Sequence, residues 1–124
     1  MNQELNEKYY EGKIGDLLRK LGIPVNSKGY KLLKISIIKQ IEDNNELTSI
    51  TKSLYPTVSQ ETNIKVKSIE SGIRYAIQKA YKRGNENLYK DIFGYSKTTC
   101  SKQPTNTEFI AVVTEIITKE YKYD

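Results

Sequence analysis

The sequence predicts an all-α fold, a compact bundle of about six helices containing a helix-turn-helix. Three observations carry that expectation. Aliphatic residues recur at three- and four-residue intervals along nearly the whole chain, which is the helical period. Turn and cap residues (Gly22, Pro24, Asn63, Gly84, Gly94, Thr105) fall at the ends of those periodic runs. A chain of 124 residues with 37% apolar content supports one small core but not two, so residues 1–124 form a single domain.

The elements follow in order. Leu5, Tyr9, Tyr10, Ile14, Leu17, Leu18 and Leu21 form an amphipathic helix ended by Gly22 and Pro24. The connector I-P-V-N-S-K-G-Y offers Asn26 or Ser27 as the next cap. Leu32, Leu33, Ile35, Ile37, Ile38 and Ile41 give a second helix, where length and interspersed lysines favour helix over strand. The polar run E-D-N-N-E breaks the pattern, and a short helical piece from Leu47 to Tyr55 stops at Pro56, which opens the next helix. Val58 and Thr62 on that helix face the core. Asn63 then supplies the left-handed residue of a tight turn. A long helix follows with Val66, Ile69, Ile73, Ala76, Ile77, Ala80 and Tyr81 as one stripe, closed by a Schellman-like K-R-G-N at Gly84. Leu88 to Phe93 is a short helix closed by Gly94, and Lys97 to Pro104 a polar loop. Thr105 and Glu108 form a capping box ahead of a last helix through Tyr121, with Phe109, Ile110, Val112, Val113, Ile116 and Ile117.

Charge is concentrated. Between Glu61 and Asn85 lie Lys65, Lys67, Arg74, Lys79, Lys82 and Arg83 against Glu61 and Glu70, a net of +4 in a chain whose total is +5. Such an excess points to a polyanion-facing surface. On a helical wheel the outward set is Lys67, Ser68, Glu70, Ser71, Arg74, Tyr75 and Gln78, types suited to base edges in the major groove. Lys65, Lys79, Lys82 and Arg83 flank it and suit phosphates. Gly72, in mid-helix, is accounted for if the preceding helix crosses close to its backbone. From pattern alone a merely solvated, charged helix face explains the same residues equally well.

Other functions find little support. The chain has no His and a single Cys, so imidazole bases, imidazole ligation and disulfide or thiolate-cluster frameworks are excluded. Ser27, Ser59, Ser68 and Cys100 lack an activating partner, and Glu42/Asp43 and Glu115/Glu120 read as solvated surface. No catalytic residue, metal site or cofactor is expected. The N-terminus lacks a signal peptide's apolar stretch, and the longest apolar run, Phe109 to Val113, is too short to span a bilayer, so a cytoplasmic protein is expected.

Longer motifs carry a more specific signal. L-G-I-P-V-N-S-K-G-Y (Leu21 to Tyr30), S-I-T-K-S-L-Y-P (Ser49 to Pro56), I-R-Y-A-I-Q-K-A-Y-K-R-G-N (Ile73 to Asn85), F-G-Y (Phe93 to Tyr95) and K-Q-P-T-N-T-E-F-I-A (Lys102 to Ala111) occur in one order along the chain. From Leu21 onward the sequence resembles the C-terminal effector domain of the stage zero sporulation protein A family of response regulators; residues 1–20 fall outside the strongest resemblance. The resemblance implies a six-helix domain that binds double-stranded DNA, often as tandem copies, regulates transcription and touches the sigma subunit of RNA polymerase. Carried over by position, Glu70 and Arg74 match recognition-helix contacts. Ser27, Lys28, Gly29 and Tyr30 match a connector near the phosphate backbone. Thr105 and Asn106, after Pro104, match a further backbone-facing cap, and Phe93 and Lys97 the polymerase-contact region.

Two departures stand out. Family members usually carry arginines where Ser68 and Ser71 stand here, and a His where Tyr75 stands; two lost Arg contacts remove about 1–3 kcal/mol of discrimination each. The family's operator is therefore expected to bind weakly. The family's receiver domain has no counterpart in the sequence, and the initial Met favours a stand-alone relative over an excised domain. Competing readings are a protein-interaction module for the sigma subunit or a sporulation regulator, and a plasmid or phage DNA-site binder.

Overall fold

The computed structural model describes residues 3–42 and 50–123. Within them lie six α-helices and no strand: α1 (Gln3–Lys20), α2 (Lys28–Glu42), α3 (Tyr55–Thr62), α4 (Val66–Arg83), α5 (Glu86–Phe93) and α6 (Asn106–Tyr123). The polar break and the beginning of the short helical piece expected from Leu47 lie outside the described residues, as do the side chains of Leu5 and Tyr121.

Each helix end has an identifiable cause. α1 closes on a Schellman motif: Gly22 is left-handed (φ 93°), its N–H reaches the Arg19 carbonyl, and the Ile23 N–H reaches back to Leu18. Ser27 caps α2, its Oγ accepting from the Tyr30 N–H at 3.1 Å. The stop expected at Pro56 is absent. A π-helical turn, Ile50–Leu54, runs directly into α3, and Pro56 sits in the first turn of α3, where its missing N–H leaves no bond unmade. Asn63 is left-handed (φ 60°, ψ 24°), with its N–H on the Ser59 carbonyl and the Ser59 hydroxyl on the Ile64 carbonyl at 2.6 Å. This turn joins α3 to α4 as a helix-turn-helix requires.

The Schellman closure expected at Gly84 is also absent. Gly84 is extended (φ −74°, ψ 172°), a conformation open to any residue. What it lacks is room: a Cβ would stand 2.6 Å from the Ala80 carbonyl oxygen, 2.7 Å from the Tyr89 ring and 2.8 Å from the Leu21 carbonyl oxygen. Asn85 then caps α5 with its Oδ1 accepting from the N–H groups of Asn87 and Leu88, and Gly94 closes it in the left-handed region. At α6 half of the capping box forms. The Glu108 N–H donates to Thr105 Oγ1 at 3.1 Å, but the Glu108 carboxylate turns away to accept from the Tyr95 hydroxyl at 2.8 Å.

The core is one cluster. Ile14 and Leu18 of α1, Leu21 just beyond it, Leu32, Leu33 and Ile37 of α2, Val58 of α3, Ile69, Ile73 and Ile77 of α4, and Phe109, Ile110, Val113 and Ile117 of α6 are all buried. Thr62 is half-buried and turns its hydroxyl onto the Val58 carbonyl. Lys39 ties α2 to α3 through Glu61 at 2.6 Å, with Glu42 at 3.4 Å. The Glu61 hydrogen bond raises the Lys39 ammonium above its ordinary range, and burial opposes the shift.

α2 and α4 approach closely at two glycines. A Cβ on Gly29 would overlap the Ala76 methyl and stand 2.8 Å from the Gly72 carbonyl oxygen; one on Gly72 would meet Leu32 Cδ1 at 3.2 Å. Gly72 is thus small because α2 crosses it, not the α3 that immediately precedes α4. The N-terminus of α2 is thereby held against the middle of α4.

Candidate nucleic-acid interface

The stripe Ile69, Ile73, Ala76, Ile77, Ala80 and Tyr81 draws one side of α4 into the core, which turns the other side outward. Lys67, Ser68, Ser71, Arg74, Tyr75 and Gln78 are exposed there and Glu70 is half-buried, so the structure brings the expected outward set onto one face. Two of these side chains also make contacts within α4. The Ser71 hydroxyl donates to the Lys67 carbonyl at 2.9 Å, and Lys79 Nζ stands 4.8 Å from the Tyr75 ring centre in a cation–π contact.

Two walls frame this face. On one side Lys28, Lys65, Lys67, Ser68 and Ser71 surround a hollow of about 500 Å3, and Ser27, Lys28, Tyr75, Lys79 and Arg83 line a second of about 540 Å3. On the other side a cleft of about 1080 Å3 separates Glu70, Arg74 and Gln78 from the loop 101–107, with Tyr55 of α3 at its floor. Lys28, Lys65, Lys67, Arg74, Lys79, Lys82 and Arg83 form no ion pair among the described residues. By contrast Arg19, Lys34, Lys39 and Lys119 engage Asp16, Glu11, Glu61 and Glu115 elsewhere on the surface. Cations that form no ion pair, around a helix face whose one acid is Glu70, are what a polyanion requires. The first turn of α4 also carries no acid and no side-chain cap, so its N–H groups add to that positive end.

The loop 96–106 is strapped to α4. Asn106 Nδ2 donates to the Glu70 carbonyl at 3.0 Å, Gln103 Nε2 to the Arg74 carbonyl at 3.1 Å and Lys97 Nζ to the Lys82 carbonyl at 2.6 Å. In return the Tyr81 hydroxyl donates to the Cys100 carbonyl at 2.6 Å. Gln103 had no place among the expected site residues. It stood in the K-Q-P-T-N motif, but nothing local marks a glutamine that bonds a residue 29 positions away.

Several residues expected at the phosphate backbone have a part in the scaffold. Gly29 is the crossing point with Ala76, and Tyr30 is buried with its hydroxyl toward Gly15 of α1 and Lys34 over its ring at 5.4 Å. Ser27 and Thr105 cap their helices with their hydroxyls, and Asn106 spends its amide on Glu70. Lys28, Lys65, Lys79, Lys82 and Arg83 stay exposed at the rim. Phe93 is half-buried, stacked between Tyr89 and Phe109 with ring centres 5.5 Å away on each side. Among the described residues no cluster of metal-ligating side chains occurs, and no helix is long and apolar enough to cross a membrane.

Comparison with known families gives one finding. The family model described as sporulation initiation factor Spo0A, C terminal, matches residues 14–117. The match begins inside α1, seven residues before Leu21, and ends in α6. It takes in every element that frames the outward face of α4.

Proposed function

Because the chain belongs to the family of sporulation initiation factor Spo0A C-terminal domains, which are sporulation-related DNA-binding domains, we propose that it is a sequence-specific regulator of transcription with its own operator preference. α4 lies in the major groove of double-stranded DNA and reads bases with Lys67, Ser68, Glu70, Arg74, Tyr75 and Gln78. Lys28, Lys65, Lys79, Lys82 and Arg83 hold phosphates on either side. One observation carries this reading: an exposed polar helix face ringed by cations that no acid of the described chain neutralises.

The operator differs from that of the wider family because Ser68 and Ser71 are short, and the Ser71 hydroxyl is already engaged by Lys67. Neither can replace an arginine that reaches a guanine O6/N7 pair, each worth about 1–3 kcal/mol. A polymerase contact in this region would draw on the half-buried Phe93 and the exposed Lys97, whose Nζ also bonds the Lys82 carbonyl.

The test is selection of bound sequences from a random duplex pool, followed by titration of the selected site and of the family's usual box at several salt concentrations. A consensus should emerge and bind more tightly than the family box. Each phosphate held adds roughly 0.9 to the slope of log affinity against log salt, so five rim cations give a slope of about −4 to −5. No consensus and a shallow slope would refute the proposal and leave an interaction module as the better account.

A further inference from the structure

Tyr75 is conspicuous on this face. It is 58% exposed, one of the large apolar side chains left open to solvent, yet it stands amid lysines and an arginine on the outward side of α4. Its position is a ridge: it lines both the cleft toward the 101–107 loop and the hollow toward Ser27 and Lys28. One turn earlier Ser71 is small and folds its hydroxyl back onto Lys67, so nothing overtops the ring from that side. Lys79 stands over the ring at 4.8 Å, a contact that biases the ring's orientation, and the exposure of the side chain leaves ring surface open to a partner.

An aromatic face held outward in a major-groove helix has one apolar partner among base edges, the 5-methyl group of thymine. We propose that Tyr75 is a specificity-determining residue that selects thymine at one operator position by covering its 5-methyl group with the open surface of the ring. Lys79 acts here as the positioning residue, its cation biasing the ring's orientation. This rests on the DNA-reading function proposed above and names the base that one residue chooses. Burying one methyl contributes on the order of 0.8 kcal/mol, which is about fourfold in affinity.

The test replaces each thymine of the selected operator, one at a time, with uracil, which pairs identically and lacks only the methyl. Wild-type protein should lose about fourfold in affinity at one position and little elsewhere. Tyr75→Phe should keep that sensitivity, because the ring carries it. Tyr75→Ala should bind thymine and uracil alike, and because the side chain is exposed the variant's thermal unfolding should match the wild type. If every uracil substitution is neutral while a consensus still exists, the thymine assignment falls and DNA reading stands. Uniform weakening by Tyr75→Phe, irrespective of base, would assign the hydroxyl to a phosphate and also overturn it. If no consensus emerges at all, both proposals fail together.

Discussion

Replacing Gly29 by Ala adds a single methyl where α2 crosses α4. That methyl would overlap Ala76 and sit 2.8 Å from the Gly72 carbonyl oxygen. Non-bonded heavy atoms rest at about 3.5–4.0 Å, so the two helices must part by something near 1 Å. Neither obstacle is the end of a flexible side chain; one is a Cβ fixed to its helix and the other is backbone. Overpacking of this kind costs about 1–3 kcal/mol, and the absence of a compliant neighbour puts Gly29→Ala near the upper end. The helix preference of Ala over Gly returns up to about 1 kcal/mol, leaving a net loss near 2 kcal/mol. For a domain of this size that lowers Tm by about 8 °C. Gly12→Ala is the internal control: no atom lies within 4 Å of the added Cβ, so the same helix preference should raise Tm by about 2–4 °C. Thermal unfolding followed by circular dichroism measures both. Adding Ala76→Gly to the Gly29→Ala variant should recover part of the loss, since the carbonyl contact remains. A Gly29→Ala protein that melts with the wild type would refute the close crossing, and with it the claim that the N-terminus of α2 is held against the middle of α4.

Further outcomes follow from other parts of the fold. Gly84→Ala should destabilise by more than about 2 kcal/mol in urea denaturation, because backbone oxygens and the Tyr89 ring crowd the new Cβ although the backbone conformation is permissive. Gln103→Ala and Asn106→Ala each remove a bond to α4 and should cost about 1 kcal/mol apiece while loosening DNA binding without altering the consensus. With no His in the chain, operator affinity should be flat between neutral and mildly acidic pH, which a binding titration across that range checks. Alkaline pH is different. Burial raises the phenols of Tyr55, Tyr81, Tyr89 and Tyr95 above their ordinary value of 10, and the Glu108 hydrogen bond adds to the rise at Tyr95. Above pH 10 the unfolded chain releases these protons first, so stability is intact below that value and declines as pH climbs past it. Tm should fall progressively from pH 10 upward, which thermal unfolding at a series of alkaline pH values measures.

How much of this was legible in the sequence depends on the range of the interaction. Features set by neighbours a few residues apart could be read directly: the apolar stripe of α4, the left-handed Asn63, the Ser27 and Thr105 caps, and the outward set from Lys67 to Gln78. Features set by distant segments could not. K-R-G-N does close α4, but Gly84 is extended rather than left-handed, and it is glycine because Leu21 and Tyr89 arrive beside it. Thr105 and Glu108 have capping-box spacing, but Tyr95 claims the carboxylate. Pro56 was legible as a first-turn residue of α3, but not that a π-helical turn would run into that helix without a stop. At the candidate site the motif match pointed to Ser27–Tyr30 and Thr105–Asn106 without saying what they do. Only their contacts separate the exposed Lys28 from the buried Gly29 and Tyr30.

The strap between the 96–106 loop and α4 has a consequence for how such a domain changes its target. Its three donors from the loop all end on main-chain carbonyl oxygens, those of Glu70, Arg74 and Lys82. Main-chain acceptors are the same whatever side chain the residue bears. Positions 70 and 74 can therefore exchange one base-facing group for another while the far wall of the cleft keeps its distance. Vocabulary and grammar are separate here: the letters that α4 presents to DNA can be rewritten singly, and the frame that holds them in line does not need to be rebuilt each time.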